Sequence, residues 1–148
     1  MNLTDASPRI AWESHGTSGP RVLMIMGMGL RGRVWRPPVE ELRRDHQLIT
    51  FDNRGVGESE EATGAWGMKD MARDALAVLD AAGWDRAHVV GVSMGGMIAV
   101  DYAAAFPEKV QRLILIASAG LGQRISPLVR LMIHIPVLGD GLMYAFGD

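Results

Sequence analysis

Apolar positions cluster in short runs of strand length, separated by glycine-rich polar stretches and by segments with helical spacing. Arg21 to Met26 and Gln47 to Phe51 are nearly continuous apolar runs, the pattern of strands covered on both faces. His88 to Val92 and Val110 to Ala117 read the same way, and Ile10 to Glu13 is a short alternating strand followed by a turn from His15 to Pro20. Gly27 to Gly32 and Asp52 to Gly64 are loops. Met68 to Ala82 places Met71, Ala75, Leu76, Val78 and Leu79 on one side at helical spacing and is stopped by Gly83. A helix from Pro37 to about Arg44 opens on a proline suited to the first helical position, and the small-residue stretch Gly95 to Phe106 predicts a helix ended by Pro107.

Strand and helix alternate, which predicts an α/β fold: a mainly parallel sheet with helices on both faces. Beyond Ser118 the alternation stops. A loop at Gly120–Gly122 leads to two short apolar segments of helical character, Pro127 to His134 and Leu138 to Phe146.

Composition changes this picture little. The chain has 148 residues, 48% of them hydrophobic and 22% charged, with a net charge of −2. That length supports one domain burying roughly 70% of the surface its unfolded chain exposes. The charge gives no reason to expect nucleic acid or an anionic membrane as a partner. The sequence contains no cysteine, which excludes disulfides and thiolate metal sites. With neither a basic start nor an apolar core at its N-terminus, and no apolar run near the roughly 18 residues that span a bilayer, the chain reads as a soluble cytoplasmic protein.

The richest chemistry lies at Gly91-Val92-Ser93-Met94-Gly95, where an apolar strand runs into a glycine-flanked serine with a helix behind it. A sharp strand-to-helix turn holds such a hydroxyl out where it can attack a carbonyl. Glycines on either side permit the close backbone approach, and the helix N-terminus directs its dipole at the spot where negative charge develops. Ser93 is therefore the candidate nucleophile; the plain alternative is a serine in a glycine-rich turn. A rival reading from another class also matches. Gly27-Met28-Gly29-Leu30-Arg31-Gly32 follows a strand, and Asp52 lies twenty residues beyond Gly32, as a dinucleotide-binding loop with a ribose-binding acid requires. Such a loop needs a helix opening within the glycines, and Arg36-Pro37-Pro38 argues against one there.

Three motifs fall in order: Met26-Gly27-Met28-Gly29, Asp52-Asn53-Arg54-Gly55-Val56-Gly57-Glu58-Ser59, and Gly91-Val92-Ser93-Met94-Gly95-Gly96. Together, from Ile10 to Ser118, they resemble the N-terminal part of the α/β-hydrolase superfamily, in particular its esterase-like and enol-lactonase-like members. The resemblance implies an α/β-hydrolase core over residues 1–118 that lacks the C-terminal strands, with residues 119–148 beginning a helical cap. It implies attack of Ser93 on a small-molecule ester or lactone without metal or organic cofactor. The backbone N–H groups of Met94 and Met28 would form the oxyanion hole, a one-residue shift giving the second role to Gly27 or Gly29. Asp52 and Arg54 read as loop-closing residues, and Met24, Met26, Met28, Met94 and Met97 either line an acyl pocket or fill the core.

In that superfamily the acid and histidine of the triad follow the serine. His15, His46 and His88 are remote from Ser93 in this topology, which leaves His134 as the one candidate base, with Asp140 as its candidate carboxylate. The expectation is a serine hydrolase nearly inactive as a single chain, because the acid and histidine are missing. The alternative is a non-catalytic fragment that acts by association. Val110 to Ala117, as an exposed apolar sheet edge, predicts self-association or pairing with a complementing chain.

Overall fold

Each central strand sends alternate side chains to opposite faces of the sheet, and both sets are apolar, so a layer of helix is required on each side. The computed structural model describes residues 1–118, in which β1 (Asn2–Leu3), β2 (Ala11–His15), β3 (Arg21–Ile25), β4 (Gln47–Phe51), β5 (Ala87–Val92) and β6 (Val110–Ile116) form one sheet. The strand order is β1-β2-β4-β3-β5-β6. Strands β3 to β6 pair in parallel, while β2 runs antiparallel to β4 and β1 antiparallel to β2.

On one face Leu23 stands beside Ile49 and Val89, with Ile25, Phe51 and Ala87 around them. These side chains pack against Met71, Ala75, Val78 and Leu79 of α2 (Met68–Ala81) and Ile98, Ala99 and Tyr102 of α3 (Met94–Ala105). On the other face Val22, Met24, Met26, Leu48 and Val90 meet Trp35 and Val39. Val39 belongs to α1 (Arg36–Leu42), and Trp35 ends the 3-10 turn Gly32–Trp35 that leads into it. Burying each such side chain contributes about 1.5–3 kcal/mol. Two-sided burial thus accounts for the unbroken apolar runs.

The expected elements are present with small shifts. The helix expected from Pro37 starts at Arg36 and ends at Leu42, and both prolines sit in its first turn, where their missing N–H groups leave no bond unmade. The second strand extends to His15, whose Nε2 lies 3.0 Å from the Thr50 hydroxyl, so that residue is strand rather than turn. The two-residue β1 carries no periodicity from which a sequence could reveal it. Residues 119–148, with the two expected apolar helices, His134 and Asp140, lie outside the described residues.

The loop after β4 is tied to α2 by a buried ion pair. Arg54 Nε and Nη2 donate to the two Asp74 carboxylate oxygens at 2.6 and 2.8 Å, and both side chains are 8% exposed. Nη2 also donates to the Asp70 carbonyl, and the guanidinium lies 5.6 Å from the centre of the Trp66 ring. Burial pushes the Asp74 carboxyl above its ordinary range, with Arg54 opposing the shift. At the start of α2 the Gly67 N–H donates to the Asp70 carboxylate at 2.9 Å, which holds that carboxyl below its usual range. Removing one partner of the buried pair strands a charge. Asp74→Ala is therefore expected to destabilise the chain by about 3–5 kcal/mol, read from urea unfolding, and more than Asp70→Ala does.

Candidate active site

Backbone geometry sets the centre of the site. Strand β5 ends at Val92, α3 begins at Met94, and the single residue between them, Ser93, adopts φ 54° and ψ −121°. Its N–H donates to the Ile116 carbonyl at 3.1 Å, and its own carbonyl accepts from the Gly96 N–H at 3.0 Å. The turn is thus held from both sides, and Ser93 is exposed. A non-glycine residue kept at positive φ costs of order 1–3 kcal/mol and persists only where its surroundings enforce it.

The enforcement comes from packing. A Cβ on Gly91 would overlap the Gly95 carbonyl, and a Cβ on Gly95 would overlap the carbonyls of Ile25 and Met26. The first turn of α3 therefore rests directly on the ends of β3 and β5. Gly27, which follows the Met26 carbonyl, faces Ser93 so closely that a Cβ there would stand 3.2 Å from the serine Cβ. The loop after β3 and the turn after β5 form one site at the C-terminal end of the parallel strands.

That loop is gripped at both ends by adjacent residues of the loop after β4. Asn53 Nδ2 donates to the Met26 carbonyl at 2.9 Å, and the Asp52 carboxylate accepts the Gly32 N–H at 2.6 Å and the Glu58 N–H at 3.0 Å. Asp52 and Asn53 are 6% and 2% exposed. These bonds favour the loop-closing role of Asp52 over a ribose-binding one. Although helical structure opens at Gly32, earlier than Arg36-Pro37-Pro38 suggested, both oxygens of Asp52 are already committed to backbone N–H groups. Nothing in the sequence short of the fold shows the contact from Asn53 to Met26.

The remaining candidates are distributed unevenly. Met94 opens α3 and packs part-buried against the larger core cluster, and Met28 is 49% exposed on the loop beside Gly27. Met24 and Met26 are core, whereas Met97 is half-buried. His46 and His88 lie at the opposite end of the sheet from Ser93, and His15 lies on β2, separated from β5 by β4 and β3. His88 stands level with Val22 near the start of β5, about 16 Å along the strand from the turn. Burial pushes the imidazoles of His15 and His88 down, and His46 bonds the neighbouring Asp45 at 2.7 Å. Among the described residues no cluster of His, Asp or Glu is suited to hold a metal ion, and no helix is long and apolar enough to cross a membrane.

A serine forced to positive φ between a central parallel strand and a tightly seated helix is the signature arrangement of one fold family. The family model for the alpha/beta hydrolase fold matches residues 20–131, and the chain belongs to that family. RutD of Azorhizobium caulinodans, whose name assigns it carbamate hydrolysis, is 42% identical over 105 residues, covering 71% of this chain and 39% of RutD. The chain thus spans about two fifths of that relative's length. Among solved structures, an N-acyl homoserine lactone degrading enzyme superposes with a TM-score of 0.81 at 27% identity, covering 93% of this chain and 54% of that one. A thermophilic esterase from Thermogutta terrifontis superposes at 0.77 with 29% identity, covering 95% and 54%.

Strain at the turn is measurable without any assay of activity. Ser93→Gly removes the positive-φ cost, and Ser93→Ala keeps it. The glycine variant is expected to be more stable than the alanine variant by about 1 kcal/mol in denaturant unfolding, against the usual order of the two residues.

Proposed function

We propose that Ser93 is the nucleophile of a hydrolase acting on a small carboxylic ester or lactone. The observation that carries this reading is the exposed serine held at φ 54° between β5 and α3. Family membership and the esterase and lactone-degrading structures support it. In the proposed reaction Ser93 Oγ attacks the substrate carbonyl carbon, and the carbonyl electron pair moves onto oxygen. The N–H groups of Met94, at the start of α3, and of Met28, in the loop beside Gly27, would receive that charge. Collapse expels the alcohol oxygen, which takes up, by way of the base, the proton that the Ser93 hydroxyl gave up; in a lactone it stays tethered to the acyl group. Water then attacks the acyl-enzyme and releases the acid. No metal or organic cofactor enters the scheme.

None of the three histidines in residues 1–118 is near Ser93, so we assign the base and its carboxylate to residues beyond Ser118 or to another chain. His134 and Asp140 are the candidates within the former. Loss of the histidine in subtilisin costs on the order of 10⁶ in turnover. The 148-residue chain alone is therefore expected to hydrolyse p-nitrophenyl acetate barely above background, yet to label slowly with a fluorophosphonate, Ser93 displacing fluoride from phosphorus. Labelling that Ser93→Ala abolishes supports the nucleophile. Complete absence of labelling favours the second reading, a non-catalytic fragment that acts by association.

The outer edge of β6 bears on that second reading. Among the described residues β6 pairs with β5 alone, and it exposes Leu113, Ile114 and Ile116. We propose that this edge is covered by association, with a second copy or a complementing chain. Light scattering over a concentration series is expected to give a mass above that of one chain; a monomer throughout refutes association between copies.

A further inference from the structure

Asn53 does something that neither loop closure nor core filling requires. Its side chain is 2% exposed, and its Nδ2 spans from the end of β4 to the Met26 carbonyl at 2.9 Å. That carbonyl belongs to the peptide joining β3 to the loop that faces Ser93. The same carbonyl is one of the groups on which Gly95 of α3 rests. A peptide plane is rigid, and its C=O and N–H point in opposite directions. Fixing the Met26 oxygen toward Asn53 therefore fixes where the Gly27 N–H points and where Gly27-Met28 begins. At the far end of the loop, Asp52 holds the Gly32 N–H at 2.6 Å. Adjacent side chains thus strap both ends of a glycine-rich segment that would otherwise be free to pivot.

We propose that Asn53 is a positioning residue for the oxyanion loop: its amide orients the Met26–Gly27 peptide so that the loop's N–H groups meet the oxygen of the group that Ser93 attacks. This rests on the reading of Ser93 as nucleophile. Asn53 touches neither substrate nor Ser93, and it acts through the Met26 carbonyl. The chemistry of the bond provides a discriminating test. Only a donor can hold a carbonyl oxygen. Asn53→Asp preserves shape, but an ionised carboxylate repels that oxygen, whereas a protonated one donates to it.

The experiment measures fluorophosphonate labelling of the full chain, following the rate at Ser93 for wild type, Asn53→Ala and Asn53→Asp, with folding of each checked by circular dichroism. Near neutral pH both variants are expected to label about tenfold to a hundredfold more slowly, the loss a misplaced site about 1 Å out of register produces. For Asn53→Asp the rate relative to wild type is expected to climb as pH is lowered from about 8 to about 5, since burial lifts the introduced carboxyl above the ordinary Asp range. Asn53→Ala shows no such recovery. Wild-type labelling by either variant, or an Asn53→Asp deficit independent of pH, overturns the proposal. Failure of the wild-type chain itself to label overturns the nucleophile reading, and this one falls with it.

Discussion

The first turn of α3 sits against the ends of β3 and β5 with no side chain between them. Gly91 and Gly95 make that contact, each occupying space that a Cβ would share with a neighbouring carbonyl. Because the helix cannot retreat without opening the core built on Ile98, Ala99 and Tyr102, the residue at the bend absorbs the geometry. Ser93 takes up a conformation that non-glycine residues otherwise avoid. Exposure of the serine, the direction of the helix N-terminus and the closeness of the β3 loop all follow from this one contact. Packing energy of the core is thereby converted into strain at a single residue.

A second, polar structure is built around it. In the segment Asp52 to Ser59, nearly every polar side chain is turned inward and bonded to backbone or to a buried partner. Asp52 binds the N–H groups of Gly32 and Glu58, Asn53 the Met26 carbonyl, Arg54 the Asp74 carboxylate and Asp70 carbonyl. The Ser59 hydroxyl donates to the Asp52 carbonyl at 2.6 Å and accepts the Ala11 N–H at 2.9 Å. One loop so connects β2, the loop after β3, and α2. Buried polar groups are costly when unpaired and rigid when fully paired. That explains why Asp52, Asn53, Arg54 and Ser59 are buried in a segment so rich in charge and glycine.

The division of labour across the sheet is equally plain. The ends of the parallel strands carrying Ser93 collect the glycine loops and backbone donors. The opposite ends carry His88, level with Arg112, and His46, beside Asp45. His15, whose imidazole reaches Thr50, is separated from β5 by β4 and β3. In the proposed reaction the base therefore comes from outside the described strands.

The sequence by itself determined the α/β class, the strand and helix spans to within one or two residues, and the candidate serine. These are local properties. Apolar runs of strand length demand two-sided cover, a helical stripe demands one, and Gly-x-Ser-x-Gly between strand and helix demands a tight bend. A mainly parallel sheet was implied by alternation, but its strand order was not, and β1 was illegible because two residues carry no period. Asp52 read as a loop-closing residue from the sequence, but only the tertiary structure supplied its partners and the role of Asn53. Spacing alone allowed Asp52 to bind a ribose, and nothing marked Asn53. Their partners, Gly32 and Met26, lie 20 and 27 residues away. Hydrogen bonds over that separation exist only once β3 and β4 lie side by side. Their choice depends on where backbone donors and acceptors end up in space, which no pattern along the chain records.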